Sequence, residues 1–323
     1  MPESSDAPLT SPRRLVFRPD DDPVDIVGEW VGRPPLRQLV ETFGGTWPAD
    51  SDLERKLRHL VAFSQIWDHR RGGSRLDISD IDEADRERYL GVPGAADALG
   101  LVSQPPPSRL DPAYVAILGG LAVGNLSRIS YYGELAGRGL VPAKGLILLG
   151  SFRRLREEET ATLRRRAPDL AGADSEAAML SLAARQICLP SSEWHETRSG
   201  DPVGDPQRAR LHGWGDGTPP VHVFAAPSSE PDSRTANTAD TLAFAAEAMP
   251  LYSGDYILLL TSAIYSVYQF FDSVRVLGLR YGTAVEVIGV PPERALASQT
   301  PAAQVQEIRS CLRSALALVR AAK

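Results

Sequence analysis

From residue 113 onward, short apolar segments alternate with segments of helical spacing. The apolar segments include YVAILGG, GLILLGS, PVHVFAAPS and DYILLLTS, and each is followed by a helical pattern. Strands with few polar residues, separated by helices, are typical of a parallel sheet covered on both faces. The sequence therefore predicts a doubly wound α/β domain with a mostly parallel sheet over residues 106–323.

The preceding part of the chain has a different pattern. Helical spacing of apolar residues predicts helices over 34–43 and 52–71, and a third over 81–90. Residues 1–13 and the PDDDP segment that follows are polar and predict a loop. The segment SQPPPSRLDP predicts a linker. We therefore divide the chain into a helical region, 1–105, and the α/β domain, 106–323.

Charge and composition exclude several classes of protein. The net charge is −6 and the pI about 5.5, so no global positive field attracts nucleic acid or an anionic membrane. The two cysteines, Cys188 and Cys311, do not form a disulfide scaffold or a cysteine-rich zinc site, and the histidines lack metal-ligand spacing. There is no apolar run of eighteen residues and no signal-peptide pattern. We expect a soluble cytoplasmic protein without a metal site.

The candidate site lies in the strand-to-helix loops, because ligands of doubly wound sheets bind outside the carboxyl ends of the strands. The first loop contributes Gly119, Gly120 and Asn125, and Arg128 is predicted in the first turn of the next helix. The loop matches neither GxGxxG nor GxxxxGK[ST], which argues against nicotinamide chemistry and P-loop hydrolysis. A cation there faces an anionic ligand or a buried carboxylate, or is simply a surface arginine.

The second loop ends in Gly150 and Ser151, small groups that suit contacts with phosphate or carboxylate oxygens and also suit an ordinary turn. A later helix begins with the sequence SEA, which places Glu176 in its first turn. Helix capping alone explains that glutamate. If it turns into the cleft, it is a candidate general acid or base.

The third loop carries Arg234 and Thr235 beside a predicted helix start, an arrangement that favours anion binding. Asn237 and Asp240 have the spacing of a capping box around Thr238. A cap accounts for both residues without any ligand. Asp240 is nevertheless the second acid/base candidate, and the other four are candidate ligand contacts.

The fourth loop places the hydroxyls of Thr261 and Ser262 at another helix start. The aromatic residues that follow, beginning with Tyr265, belong to the core or form a wall against a planar ligand. Residues 191–219 are polar and lack clear periodicity, and loops of this length are usually lids or disorder. The tryptophans and histidines within that segment favour a lid over the cleft.

The order of these segments resembles that of the YdcF/SanA/ElyC-type family of α/β proteins. The shared features are ILGG with Arg128, LLGS at 148–151, SEA at 175–177, TANTADT at 235–241 and LLLTS at 258–262. The resemblance implies the same fold over about residues 113–290. Because a soluble member of that family is able to bind S-adenosylmethionine, it also implies an adenosyl or phosphate-bearing ligand.

The resemblance breaks after the Thr-Ser segment. The family places His and Arg there, whereas this chain has Tyr265 and Tyr268. An acid/base role of the family histidine therefore does not transfer to this chain.

Two functions are consistent with these observations. The first is an enzyme that binds a nucleotide-like or other anionic small molecule and carries out group transfer or hydrolysis, with S-adenosylmethionine as a candidate cofactor. The second is a catalytically degenerate binding or scaffold protein that uses the helical region as a partner or dimer surface. Neither involves nucleic acid or a membrane, and both allow a homo-oligomer.

Overall fold

The computed structural model describes residues 14–70, 78, 81–188, 193–295 and 299–323. The strands are β1 (Leu15–Phe17), β2 (Tyr114–Ile117), β3 (Gly145–Gly150), β4 (Trp194–Ser199), β5 (Arg210–Gly215), β6 (Val221–Ala225), β7 (Tyr256–Ser262) and β8 (Ala284–Val290). The helices are α1 (Pro23–Val31), α2 (Pro34–Thr42), α3 (Leu53–Phe63), α4 (Arg86–Tyr89), α5 (Val92–Ala98), α6 (Ala122–Gly137), α7 (Glu157–Arg166), α8 (Glu176–Ala183), α9 (Thr238–Ala248), α10 (Ser266–Ser273), α11 (Leu279–Tyr281) and α12 (Pro301–Ala321). The predicted loop at residues 1–13 and the side chain of Cys188 lie outside the described part.

All eight strands form one sheet in the order β1-β8-β7-β2-β3-β6-β5-β4. The central five, from β8 to β6, are parallel, whereas β1, β5 and β4 are antiparallel to their neighbours. From β2 the chain passes to β3 and then to the far edge strand β4, comes back through β5 and β6, and crosses to β7 on the other side of β2. This topology confirms the predicted doubly wound α/β fold and sets its switch point between β2 and β7.

Helices cover both faces of the sheet because successive strand side chains point in opposite directions. In β2, Tyr114 and Ala116 face one hydrophobic core, and Val115 and Ile117 face the other. The first layer, on the Tyr114 side, contains α1–α5, α9, α10 and α12. The second layer, on the Val115 side, contains α6, α7 and α8.

The helical N-terminal region packs against the α/β domain in a shared core. Trp30 of α1 contacts Phe271 of α10 edge-on, with ring centroids 5.6 Å apart, and its Nε1 donates to the carbonyl of Leu99. Buried leucines of α3 and the buried residues Val92 and Ala96 of α5 belong to the same cluster as the leucines of α12. Removing the region would therefore expose apolar surface of α12.

The loop predicted at PDDDP is present at residues 19–22 and leads directly into a helix. The Asp22 carboxylate accepts a hydrogen bond of 2.7 Å from Val24 N–H, and Pro23 begins α1. Leu15–Phe17 forms the edge strand β1, which pairs with β8. Three residues are too few for a recognisable alternation, so only the neighbouring β8 reveals this strand.

The prediction of a lid within 191–219 was wrong for residues 193–219, which contain two strands of the sheet. Two strands in this segment, β4 and β5, extend the sheet beyond β6, with Trp194 opposite Gly215 and Ser199 opposite Arg210. Leu211, Gly213 and Gly215 are buried while their neighbours are more exposed, which is the period of a strand. Glycines at two of these three inward positions conceal the alternation in the sequence.

No helix among the described residues is long and apolar enough to cross a membrane. Of the two cysteines, Cys311 is a free thiol buried in α12.

Candidate functional site

A cleft of about 740 Å³ opens outside the carboxyl ends of β2 and β3, beside the switch point. Its volume lies in the range of small-molecule sites, roughly 300–1,000 Å³. Among the predicted site residues, nine line this cleft: Gly119, Gly120, Gly150, Ser151, Glu176, Arg234, Thr235, Asn237 and Thr238. The fold thus brings together residues from three loops that are up to 119 positions apart, from Gly119 to Thr238.

Six predicted residues do not contribute to the cleft wall: Asn125, Arg128, Asp240, Thr261, Ser262 and Tyr265. Most of them hold the wall in place from behind. Tyr265 packs edge-on against Tyr268, which does line the cleft, with ring centroids 6.1 Å apart.

Gly119 and Gly150 allow the carboxylate of Glu176 to reach the loop. A Cβ at Gly119 would lie 2.2 Å from the Leu149 carbonyl oxygen and 2.4 Å from Oε1 of Glu176. A Cβ at Gly150 would lie 2.6 Å from Leu180 Cδ1 and 3.2 Å from Glu176 Cγ. Real side chains do not make such contacts, so both positions require glycine for close approach.

Glu176 is a buried carboxylate in the cleft wall, with only 4% of its surface exposed. Oε2 accepts a hydrogen bond of 3.0 Å from Ser151 Oγ and lies 3.9 Å from Arg153 Nε. Burial raises the pKa of Glu176 above its ordinary value, although Arg153, Ser151 and the Gly120 N–H favour the ionised form. A carboxyl group with a raised pKa in a cleft is a candidate for giving or taking a proton.

Arg128 lies behind the first loop with 1% of its surface exposed. Its guanidinium donates to the carbonyl of Leu118, to Asn125 Oδ1 at 3.3 Å and to Ser262 Oγ at 3.0 Å. Because α6 begins at Ala122, Arg128 occupies the second turn rather than the predicted first. Arg128 therefore joins the loop after β2 to the end of β7 across the switch point.

A second buried chain of hydrogen bonds supports the cleft wall at α9. Thr261 Oγ1 donates to Gln269 Oε1, and Gln269 Nε2 donates to Thr238 Oγ1 at 3.0 Å. This chain connects the end of β7 through α10 to the first residue of α9. Gln269 also lines the cleft, although it was not predicted as a site residue from the sequence.

The predicted capping box of α9 is present. Asn237 Oδ1 accepts from Asp240 N–H at 3.0 Å, and Asp240 Oδ2 accepts from Asn237 N–H at 2.9 Å. Asp240 also accepts a hydrogen bond of 2.5 Å from Arg234. Burial opposes ionisation, but the hydrogen bonds from Arg234 and Asn237 outweigh it and lower the pKa of Asp240. Asp240 therefore positions Arg234 on the cleft, and its pKa shift is opposite to the one a proton donor needs.

Glu159 of α7 lies beside the N-terminus of α6. Only 5% exposed, it accepts from Ala122 N–H at 2.8 Å and pairs with Arg153 at 2.7 Å. Burial opposes ionisation, but Arg153 and the Ala122 N–H outweigh it and lower the pKa of Glu159. Glu159 is therefore a buried, paired residue of a helix that is otherwise rich in exposed charged side chains.

Arginine dominates the charged residues of the cleft. Six arginines line it, namely Arg70, Arg153, Arg156, Arg234, Arg275 and Arg313, whereas the acidic lining residues are Glu176, Glu230 and Asp272. The chain as a whole has a net charge of −6. Three of these arginines also pair with carboxylates outside the lining, namely Glu307, Glu159 and Asp240, so the cleft is rich in arginine without a large excess of positive charge. Guanidinium groups nevertheless suit phosphate and carboxylate ligands. Of these arginines, only Arg234 was predicted from the sequence.

Asp272 is a second carboxyl group of the cleft, on α10. It pairs with Arg275 at 3.3 Å and accepts a hydrogen bond from Ser314 of α12. Burial raises the pKa of Asp272 despite these two partners. A π-helical turn, Val274–Gly278, follows directly, and π turns often accompany functional sites. The sequence gives no local signal for Asp272, because it lies beyond the strand-end loop.

Within the described parts of the chain, no three or more His, Cys, Asp or Glu side chains come together as a group that could hold a metal ion. The nearest approach of imidazoles is His212 Nε2 to His222 Nδ1 at 3.1 Å, on the face of β5 and β6.

Comparison with known proteins gives two kinds of similarity. A family model described as the Rv3785 N-terminal domain matches residues 18–100, which is most of the helical region. The uncharacterized protein Rv3785 of Mycobacterium tuberculosis is 32% identical over 325 residues, covering 91% of this chain and 89% of that protein. The uncharacterized protein Mb3814 of Mycobacterium bovis has the same identity and coverage. No solved structure matches this chain.

Proposed function

The chain belongs to the Rv3785 family, and we propose that its cleft is the active site of an enzyme for an anionic, nucleotide-like small molecule. The observation that carries the proposal is a buried carboxyl group with a raised pKa, Glu176, in the wall of an arginine-rich cleft. Perturbed titratable groups in clefts are concentrated at active sites.

The proposed chemistry is group transfer or hydrolysis. Arginine side chains bind phosphate and carboxylate oxygens in a bidentate manner and neutralise charge that develops on the reacting group. Glu176 gives or takes the proton, and Ser151 orients its carboxylate through their 3.0 Å hydrogen bond. Asp272 replaces Asp240 as the second acid/base candidate, since it lines the cleft and burial raises its pKa.

The ligand class follows from the resemblance to the YdcF/SanA/ElyC-type family. That resemblance remains a prediction and makes S-adenosylmethionine and nucleotides the first compounds to test. A cytoplasmic location belongs to the same proposal, because these metabolites are cytoplasmic.

A thermal-shift screen tests binding. The protein is heated with S-adenosylmethionine, S-adenosylhomocysteine, nucleotides, nucleotide sugars and prenyl phosphates. A ligand at 100 times its Kd stabilises the folded state by about 2.7 kcal/mol, a shift of a few degrees. If no compound raises the midpoint, the proposal loses its ligand class.

Glu176→Gln tests catalysis with whichever compound binds. The glutamine amide has nearly the same shape as the carboxyl group but cannot act as a general acid or base. Ligand binding is therefore retained, and turnover falls about 100-fold or more. Glu158→Gln is the control, since Glu158 is an exposed residue of α7 outside the cleft. Product is followed by mass spectrometry. Equal turnover by the two variants would remove Glu176 from the mechanism.

One observation favours the alternative, a binding protein without catalysis. Tyr268 lines the cleft in the region where the YdcF-type family places its histidine. A compound that binds tightly and emerges chemically unchanged would support this alternative. Deleting residues 1–105 does not separate the two functions, because the deletion also removes Arg70 from the cleft and uncovers α12.

A further inference from the structure

The cleft arginines come from opposite sides of the sheet. Arg153 and Arg156 follow β3 and precede α7, which belongs to the second helical layer. Arg275 follows α10 and Arg313 lies on α12, both in the first layer, where Arg70 of the N-terminal region also reaches the cleft. The cleft therefore has two walls that contain arginine, one on each side of the strand ends.

Carboxylates pair with arginines on both sides of the cleft. On the Glu176 side, Arg153 is paired with Glu159 at 2.7 Å. On the α12 side, Arg70 pairs with Glu307 and Arg275 with Asp272.

Arg313 is different from these arginines. Within the described residues it has no carboxylate at ion-pair distance and no hydrogen-bond partner, and its side chain is exposed. Ser310 and Ser314 lie on the same face of α12 and also line the cleft, but the hydroxyl of Ser310 donates to the Gln306 carbonyl and that of Ser314 to Asp272. Arg313 is thus a positive charge in the cleft that the protein itself leaves unneutralised.

The cleft is also larger than one anion requires. Its volume of about 740 Å³ equals that of roughly 25 water molecules at ~30 Å³ each. A single phosphate near Glu176 would leave the α12 side empty. An extended ligand would reach both walls.

We propose that the ligand carries a second phosphate or carboxylate group, remote from the reacting end, and that Arg313 binds it. This inference rests on the proposed function, in which the reacting end lies beside Glu176. The ligand class is a small molecule with two separated anionic groups. Arg313 then acts as a specificity residue that selects for the length of the ligand.

The test compares binding of one-headed and two-headed anions by calorimetry. The probes are alkylphosphonates and α,ω-alkane bisphosphonates of increasing chain length, with α,ω-dicarboxylates as a second series that separates phosphate from carboxylate selectivity. Wild-type protein is expected to prefer a bisphosphonate of one length over the matching monophosphonate by about tenfold or more. Arg313→Gln is expected to abolish that preference and leave monophosphonate binding unchanged.

Arg165→Gln is the matched control, because Arg165 is an exposed arginine of α7 outside the cleft. Equal affinity of wild-type protein for one-headed and two-headed probes would overturn this inference and leave the proposed function standing. Equal losses for both probes in Arg313→Gln would also overturn it, since Arg313 would then supply only a general field. Failure of every anion to bind would overturn the proposed function, and this inference with it.

Discussion

Ser151 Oγ donates a 3.0 Å hydrogen bond to Oε2 of Glu176, and both groups are buried in the wall of the cleft. The two residues are 25 positions apart in the chain and meet because β3 ends beside the first turn of α8. This hydrogen bond stabilises the ionised form of the carboxyl group, whereas burial favours the protonated form and raises the pKa of Glu176.

Ser151→Ala is therefore expected to raise the pKa of Glu176 further, because a donor to the charged form is lost. If Glu176 acts as a base, the acidic limb of the pH–rate profile moves to higher pH. The lost bond also costs about 0.5–1.5 kcal/mol of unfolding free energy. Ser310→Ala is the control, since Ser310 also lines the cleft but donates to a backbone carbonyl. An unmoved pH profile in Ser151→Ala would contradict the role of this hydrogen bond.

Gly119→Ala is expected to displace Glu176 and destabilise the fold. The added methyl group would lie 2.2 Å from a backbone carbonyl oxygen and 2.4 Å from Oε1 of Glu176. Overpacking of this kind costs about 1–3 kcal/mol. Gly133→Ala on α6 has no atom within 4 Å of the new methyl group and should stabilise the protein by roughly 0.5–1 kcal/mol. Urea denaturation of the two variants checks these opposite signs, and equal effects would refute the close approach.

Arg128→Ala is expected to lower the free energy of unfolding as well as to weaken ligand binding. The substitution leaves the Leu118 carbonyl and Ser262 Oγ without their buried donor. Unsatisfied buried polar groups cost about 1–3 kcal/mol each. Arg165→Ala, at an exposed position, should change the unfolding free energy by less than about 0.5 kcal/mol. A wild-type urea midpoint for Arg128→Ala would show that the loop needs no such tie.

The histidines of β5 and β6 predict a loss of stability in acid. Burial, together with the neighbouring His212, lowers the pKa of His222 to about 4, although Asp216 partly opposes this. The unfolded chain binds a proton there near pH 6.5 and the folded chain does not, so stability falls between pH 6.5 and 4. The two histidines stack with ring centroids 5.4 Å apart, which places like charges together once both are protonated.

His222→Gln is expected to recover about 1–2 kcal/mol of that acid loss, since a partly exposed group realises only part of the full linkage value. His59→Gln is the control, because His59 is exposed on α3. Urea denaturation at pH 7 and pH 4.5 measures the effect. Equal acid sensitivity of the two variants would contradict the burial of His222 as its cause.

The sequence alone determined the parallel core of the sheet and the strand-end loops beside the site. Runs such as YILLL are apolar because parallel strands are buried on both faces, and this local signal located the parallel core. The capping box at Asn237 was equally readable, since its hydrogen bonds join residues three positions apart. Local spacing is sufficient wherever the partners are neighbours in the chain.

Only the tertiary structure decided which charged groups meet in the cleft. Arg70, Asp272 and Arg313 come from three elements distant in sequence, and no spacing rule connects them. The same holds for Arg128, which was predicted to contact a ligand. Its hydrogen-bond partners are the Leu118 carbonyl, on the β2 side of the switch point, and Ser262 Oγ, on the β7 side, so its guanidinium is buried between the two strands. The strand β1 and the pair β4–β5 needed their neighbours as well, because short or glycine-containing strands take their register from the sheet they join.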